Sequence, residues 1–225
     1  LGCLTNVRWV YALSKAVSEE YAHAMAAAGL RFVVARYFNV YGPFMDSPGR
    51  GRVIAKFLGC IRDERPLPLV DGGHAVRSFC YIDDAVEATL RLGLLLHDGK
   101  NTGTQRTVNI GRLEPIPIRE LASRMIRLSG HSAGVTEVSG ESFFGPGFEE
   151  IPFRVPDLSL LREMTGYESQ IDLDQGLRRT LAQSDLLHAP ESPAEPSNPV
   201  LPTVRVQVQP DDALGDRISS ILRTG

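Results

Sequence analysis

Apolar residues between positions 9 and 28 return every three or four places. Leu13, Val17, Tyr21, Ala24 and Ala28 fall on one face, which predicts a helix closed by Gly29. RFVVARYF, residues 31–38, is a short run rich in Val and Phe and predicts a buried strand. Residues 39–49 hold Gly42, Pro43, Pro48 and Gly49 and predict a loop. A second helix is expected over 52–63, where Val53, Ile54, Phe57, Leu58 and Ile61 share a face. LPLVDGG (67–73) reads as strand and turn. FCYIDDAVEATLRLGLLL (79–96) reads as a helix to about Leu96, with Asp83 or Asp84 as its N-cap. TVNIG (107–111) is a further strand. Residues 118–129 form an amphipathic helix through Leu121, Met125 and Leu128, and shorter helices are expected over 157–165 and 172–183. Strands alternating with helices define an α/β domain.

The pattern breaks after Leu187. HAPESPAEPSNPVLP, residues 188–202, carries five prolines and reads as an extended linker. Residues 203–225 add a strand-like and a helix-like segment. The domain expectation is therefore 1–187, a linker over 188–202, and the possible start of a further domain at 203.

Composition narrows the function classes. Of 225 residues, 43% are hydrophobic and 23% charged, an ordinary globular balance. A net charge of -3 lacks the basic excess of a nucleic-acid binder. No apolar run approaches the roughly 20 residues that cross a bilayer. Cys3, Cys60 and Cys80 are odd in number and lack metal-ligand spacing, which fits reduced thiols and a cytoplasmic location. His23, His74, His97, His131 and His188 form no metal-spaced set, so no metal is expected. GRGR at 49–52 lacks the strand–loop–helix context of a phosphate loop.

The first chemical signal is Tyr11-Ala-Leu-Ser-Lys15, whose spacing puts phenol and ammonium on one helix face. A phenol with a pKa of about 10 is a poor base at neutral pH, and a neighbouring ammonium favours the phenolate. Such a pair can take a proton from a hydroxyl while hydride leaves the same carbon. The same spacing also arises by chance in helices.

The order of the following segments is more specific. YALSK, RYFNVYGP (36–43), VDGGHAVRSFCYIDDAVEA (70–88) and VNIG (108–111) together resemble the extended short-chain dehydrogenase/reductases, the NAD-dependent epimerase/dehydratase family. The resemblance covers about residues 6–185. It implies the C-terminal part of a Rossmann-like α/β fold with its smaller nucleotide-sugar-binding subdomain. It also implies NAD as cofactor, a nucleotide sugar as substrate and a homodimer. Tyr11 and Lys15 become catalytic and, with Phe38, cofactor-binding. Asn39 and Arg77 become diphosphate contacts, and Arg8 and Arg52 further substrate contacts. Each keeps a plainer alternative: a turn cap for Asn39, surface ion pairs or helix-start residues for the arginines.

Two features resemble the UDP-glucuronate decarboxylase branch, to which UDP-apiose/xylose synthases are similar. They are Arg8-Trp9-Val10-Tyr11 and ESFFGPGFEEIPFRVPD, residues 141–157. Oxidation at C4 of a glucuronate makes a ketone β to the C5 carboxylate, and a β-keto acid loses carbon dioxide. The resemblance gives Arg154 the role of holding that carboxylate and steadying the charge as it moves. Phe148 takes the place of an aromatic that packs on uracil, where a tyrosine is common in the branch. Their alternatives are an ion pair or diphosphate contact for Arg154, and core packing for Phe148. The alternative activities are an NDP-sugar 4-epimerase or 4,6-dehydratase, or a catalytically silent interaction subunit.

The family's glycine-rich dinucleotide loop belongs ahead of the Tyr-Lys pair, so this chain is expected to correspond to the second half of the enzyme and to turn over little alone. LPTVRVQVQPDDALGDRISSILRTG (201–225) resembles the opening of pyridoxal-phosphate sugar aminotransferases.

Overall fold

The computed structural model describes residues 9–26, 28–45, 51–97, 106–145, 147–184 and 186. In chain order the elements are α1 (Val10–Ala26), β1 (Val33–Tyr37), β2 (Val40–Tyr41), α2 (Val53–Arg62), β3 (Leu67–Val70), β4 (Val76–Arg77), β5 (Cys80–Tyr81) and α3 (Ile82–His97). There follow β6 (Arg106–Ile110), β7 (Ile116–Pro117), α4 (Ile118–Ser129), β8 (Val135–Val138), α5 (Gly140–Phe144), β9 (Phe153–Arg154), α6 (Ser159–Thr165) and α7 (Leu173–Gln183).

Strands β1 and β6, β2 and β5, and β3 and β8 pair in parallel, which requires the long helical crossovers between them. A three-stranded sheet runs β7-β4-β9, antiparallel on one side of β4 and parallel on the other. Two buried clusters hold these layers. One gathers Phe57 and Leu58 of α2, Leu67 of β3, Leu121 and Met125 of α4, and Leu177 and Leu181 of α7. The other gathers Val108 and Ile110 of β6, Ala85, Ala88 and Leu92 of α3, and Leu161 of α6. Strand β5 serves both, because alternate residues point to opposite faces: Cys80 enters the second cluster and Tyr81 the first.

Helices α2, α4 and α7 bury the faces their periodicity marks, whereas the apolar face of α1, with Val17 and Tyr21, is exposed among the described residues. Leu121, Met125 and Leu128 of α4 are all buried, and Gly130 closes that helix at φ 65°. Asp172 caps α7 by accepting from the Gln175 N–H at 2.8 Å.

Three expectations need correction. The segment 31–38 is not a fully buried strand. Val33 and Ala35 pack on the second cluster only partly buried, and Tyr37 is 51% exposed, because β1 pairs with β6 on one side only among the described residues. The loop expected from Asn39 contains β2, whose Tyr41 is 2% exposed and edge-on to Phe79 and Tyr81. Neither Asp83 nor Asp84 is an N-cap, since both lie inside the first turn of α3. Asp84 is buried and accepts from the Tyr167 hydroxyl at 2.6 Å and from the Gln170 and Ile171 N–H groups at 2.9 and 3.0 Å. Its carboxylate thus fastens the chain ahead of α7. Asp83 is left at the surface, 3.6 Å from Arg179.

Arg8, Cys3, His188, the linker 188–202 and the segment 203–225 lie outside the described residues. Among the described residues, no helix is long and apolar enough to cross a membrane. Cys60 and Cys80 are free and buried.

Candidate functional site

A cavity of about 530 Å³ opens between α2, the β7-β4-β9 sheet and the α5 segment, within the usual size of small-molecule sites. It brings together Asn39, Arg52, Arg77, Phe148 and Arg154, five of the residues singled out from sequence. Tyr11, Lys15 and Phe38 are not in its wall.

Asn39 lies in the turn between β1 and β2 and adopts φ 43°, the left-handed region that asparagine tolerates better than most residues. Its side chain ties two strands to this turn. Nδ2 donates to the Ser78 carbonyl at 2.7 Å, and Oδ1 accepts from the Arg154 guanidinium at 3.1 Å. Arg77 lies on the central strand β4 and is 8% exposed. Its guanidinium donates to the Val76 carbonyl at 2.8 Å and to Glu150 Oε1 at 2.6 Å. Arg154 is the register partner of Arg77 across β4 and β9. Arg52 stands at the start of α2 and donates to the Val40 carbonyl at 3.0 Å, anchoring β2 to that helix.

The opposite wall is aromatic. Ser139 caps α5 by accepting from the Ser142 N–H, and Asp71 Oδ1 accepts from the Gly140 N–H at 3.0 Å, fastening α5 to the turn after β3. Phe144 and Phe148 stack with centroids 4.4 Å apart. Phe148 lies so close to Gly140 that any side chain there would collide with it. Lys56, one turn into α2, places its ammonium 4.1 Å from the Phe143 ring centroid and 5.1 Å from that of Phe144. Partial burial holds this ammonium below the usual lysine pKa. Lys56, Phe143, Phe144 and Glu150 were not singled out from sequence. Lys56 falls one turn beyond Arg52, and Glu150 four residues before Arg154, but neither spacing reveals a shared cavity.

Among the described residues, four cationic side chains, Arg52, Lys56, Arg77 and Arg154, line the cavity against one carboxylate, Glu150. Such a concave, partly desolvated cluster attracts anions, and guanidinium forks match phosphate and carboxylate oxygens.

On α1, Lys15 Nζ sits 5.6 Å from the centroid of the Tyr11 ring, so the pair shares a face as its spacing required. Tyr11 is 72% exposed, and no residue of α1 is buried among the described residues. Arg36 of β1 grips Glu19 through its Nε and Nη2, pinning α1 beside the strand and lowering the Glu19 pKa. Phe38 continues β1, its N–H donating to the Ile110 carbonyl at 2.9 Å, and packs where Gly111 leaves room.

The fold is α/β, and its cavity is lined by Arg52, Lys56, Arg77 and Arg154. Residues 3–111 match the sequence pattern of the NAD dependent epimerase/dehydratase family. The chain is 35% identical over 181 residues to UDP-N-acetyl-alpha-D-glucosaminuronate decarboxylase of Bacillus cytotoxicus, covering 80% of this chain and 54% of that protein. It is 31% identical over 216 residues to UDP-D-apiose/UDP-D-xylose synthase 2 of Arabidopsis thaliana, covering 88% of this chain and 54% of that one. The crystal structure of UDP-glucose 4-epimerase from Thermotoga maritima, with UDP-glucose, superposes with a TM-score of 0.65 at 25% identity, over 76% of this chain and 52% of the epimerase. The chain belongs to the NAD-dependent epimerase/dehydratase family and has its Rossmann-like α/β fold, spanning about half the length of the curated relatives it matches.

Proposed function

We propose that this chain supplies the catalytic helix and the nucleotide-sugar cradle of an NAD-dependent enzyme that oxidises a UDP-linked uronic acid at C4 and releases its C5 carboxylate as carbon dioxide. The observation that carries the reading is the pairing of Arg77 and Arg154 in one cavity, with Asn39 bonded to the second of them. Two arginines in one cavity wall suit a ligand that brings anionic groups at two places, a diphosphate and a carboxylate. Arg77, buried and fixed on a central strand, takes the diphosphate. Arg154, more exposed and steadied by the Asn39 amide oxygen, holds the carboxylate and the charge that moves from it. Phe148, backed by Phe144, offers a flat face to the base.

The residues present fit the reacting end of NAD. Tyr11 is an exposed phenol with an ammonium beside it, the donor set needed to take a hydroxyl proton. NAD, when bound, would supply the hydride acceptor for C4. As that hydride leaves, Tyr11 would take the C4 hydroxyl proton, with the Lys15 ammonium beside it.

The exposed apolar side chains of α1, Val17 at 57% and Tyr21 at 71%, support a homodimer contact there, and equilibrium sedimentation of the complete parent protein tests it. The buried free thiols suit a reducing cytoplasm.

The deciding experiment gives UDP-glucuronate to the parent protein with NAD and measures carbon dioxide. The expected product is a UDP-linked 4-keto-pentose with one NAD reduced per carbon dioxide released, or a UDP-pentose where the reduced cofactor returns its hydride to C4. Recovery of a C4 epimer with no gas released would replace this reading with an epimerase. An unchanged substrate, with Tyr11→Phe indistinguishable from wild type, would reduce the chain to a binding subunit.

A further inference from the structure

Among the described residues, the cavity's one carboxylate sits on its most buried cation. Glu150 Oε1 accepts from Arg77 at 2.6 Å and from the Ile151 N–H at 2.9 Å. The two partners are unequally placed. The Arg77 side chain is 10% exposed on the middle strand of a three-stranded sheet, whereas that of Glu150 is 30% exposed in the connection between α5 and β9. Arg77 therefore stays where it is, and Glu150 is the partner able to leave. Arg77 is the register partner of Arg154, and like charges placed opposite one another on paired strands repel. The carboxylate offsets this repulsion when no ligand is bound.

We infer that Glu150 is a built-in competitor for the ligand's anionic group, exchanged for it on binding, and that it sets a threshold of charge for entry to the cavity. A carboxylate brings one negative charge to Arg77. A diphosphate brings two or more and several acceptor oxygens, so it displaces Glu150 where a more weakly charged ligand does not. Selectivity then comes from a cost imposed on weak anions as well as from contacts made by strong ones. This inference rests on the assignment of Arg77 to the diphosphate.

Calorimetric titration of the full 225-residue chain with UDP and with UMP tests it. Glu150→Gln is expected to tighten UDP by about tenfold, the effect of removing a rival from a close charge pair. The preference for UDP over UMP narrows at the same time. Glu150→Asp, which keeps the charge, stays near wild type. Weaker or unchanged UDP binding by Glu150→Gln overturns the inference and makes the carboxylate a support that merely orients Arg77. If wild type and variant both ignore UDP, the nucleotide-sugar reading falls with it, and the silent wild type distinguishes that result from the former. A measurement on the unaltered chain is independent of whether the variant folds. Carbodiimide-driven amidation of Glu150, read by peptide mass, should rise severalfold on adding UDP, because the displaced carboxylate turns to solvent. A label yield that falls or stays level contradicts the exchange.

Discussion

Arg77 and Arg154 stand opposite each other on the paired strands β4 and β9, 77 positions apart in sequence and adjacent in the cavity wall. Their surroundings separate their tasks. Arg77 is buried and salt-bridged, while Arg154 is exposed and leans on an asparagine. Arg77→Met should weaken UDP binding by about 2 kcal/mol, the worth of hydrogen bonds to a charged group, as read by calorimetry. Arg154→Lys keeps the charge and loses the planar fork. It should leave UDP affinity within about threefold but cut carbon dioxide release by the parent enzyme about a hundredfold. Equal losses in binding and turnover for both variants would contradict this division.

Gly176 shows two opposed effects of one methyl group. In a helix interior, glycine to alanine gains up to about 1 kcal/mol. At this position the new carbon would overlap the Tyr41 hydroxyl and lie 3.0 Å from the Tyr81 ring. Tyr41 is buried and cannot swing aside, so overpacking of about 1–3 kcal/mol outweighs propensity. Gly176→Ala should lower the melting temperature. A rise would mean that Tyr41 has room the packing does not show.

Lys56 couples α2 to α5 through the Phe143 and Phe144 rings. A partly desolvated contact of this kind is worth about 1 kcal/mol. Lys56→Met should therefore change the melting temperature little and weaken UDP binding severalfold, since the aromatic wall loses its tether and the cavity a charge. Lys56→Arg should restore most of the affinity.

Alkaline conditions should destabilise the fold. Burial raises the Cys80 thiol to about 12, and burial also raises the phenols of Tyr41 and Tyr167. These groups bind protons more tightly folded than unfolded. Their contribution is complete below the unfolded values of about 9–10 and is lost as pH rises through the folded ones. Melting curves should be flat near neutrality and fall from about pH 9 upward. Cys80 should resist alkylation at pH 8 until the chain is denatured.

Helices that bury one face were legible because burial and period coincide, as with Leu121, Met125 and Leu128 in α4. Strands of two residues carry no period, so β4, β5, β7 and β9 were invisible even though β4 and β9 bring Arg77 and Arg154 to the cavity wall. Asp84 illustrates another limit. An acidic residue at a helix start is usually a cap, and only the approach of Tyr167, Gln170 and Ile171 from more than 80 positions away gives it a different task. Of the site, Asn39, Arg77, Phe148 and Arg154 were legible through their family motifs and Arg52 as a helix-start arginine, and the five meet in one cavity. Glu150 was not, because its meaning depends on a guanidinium 73 residues earlier.

Strand β5 is only Cys80 and Tyr81, yet each residue is an inward brick of a different room. A party wall of this kind denies either side the option of melting alone, since loosening one bares the other to water. Heat or denaturant should therefore dismantle the packed body in a single cooperative step, and a cavity floored by one room inherits the rigidity of both.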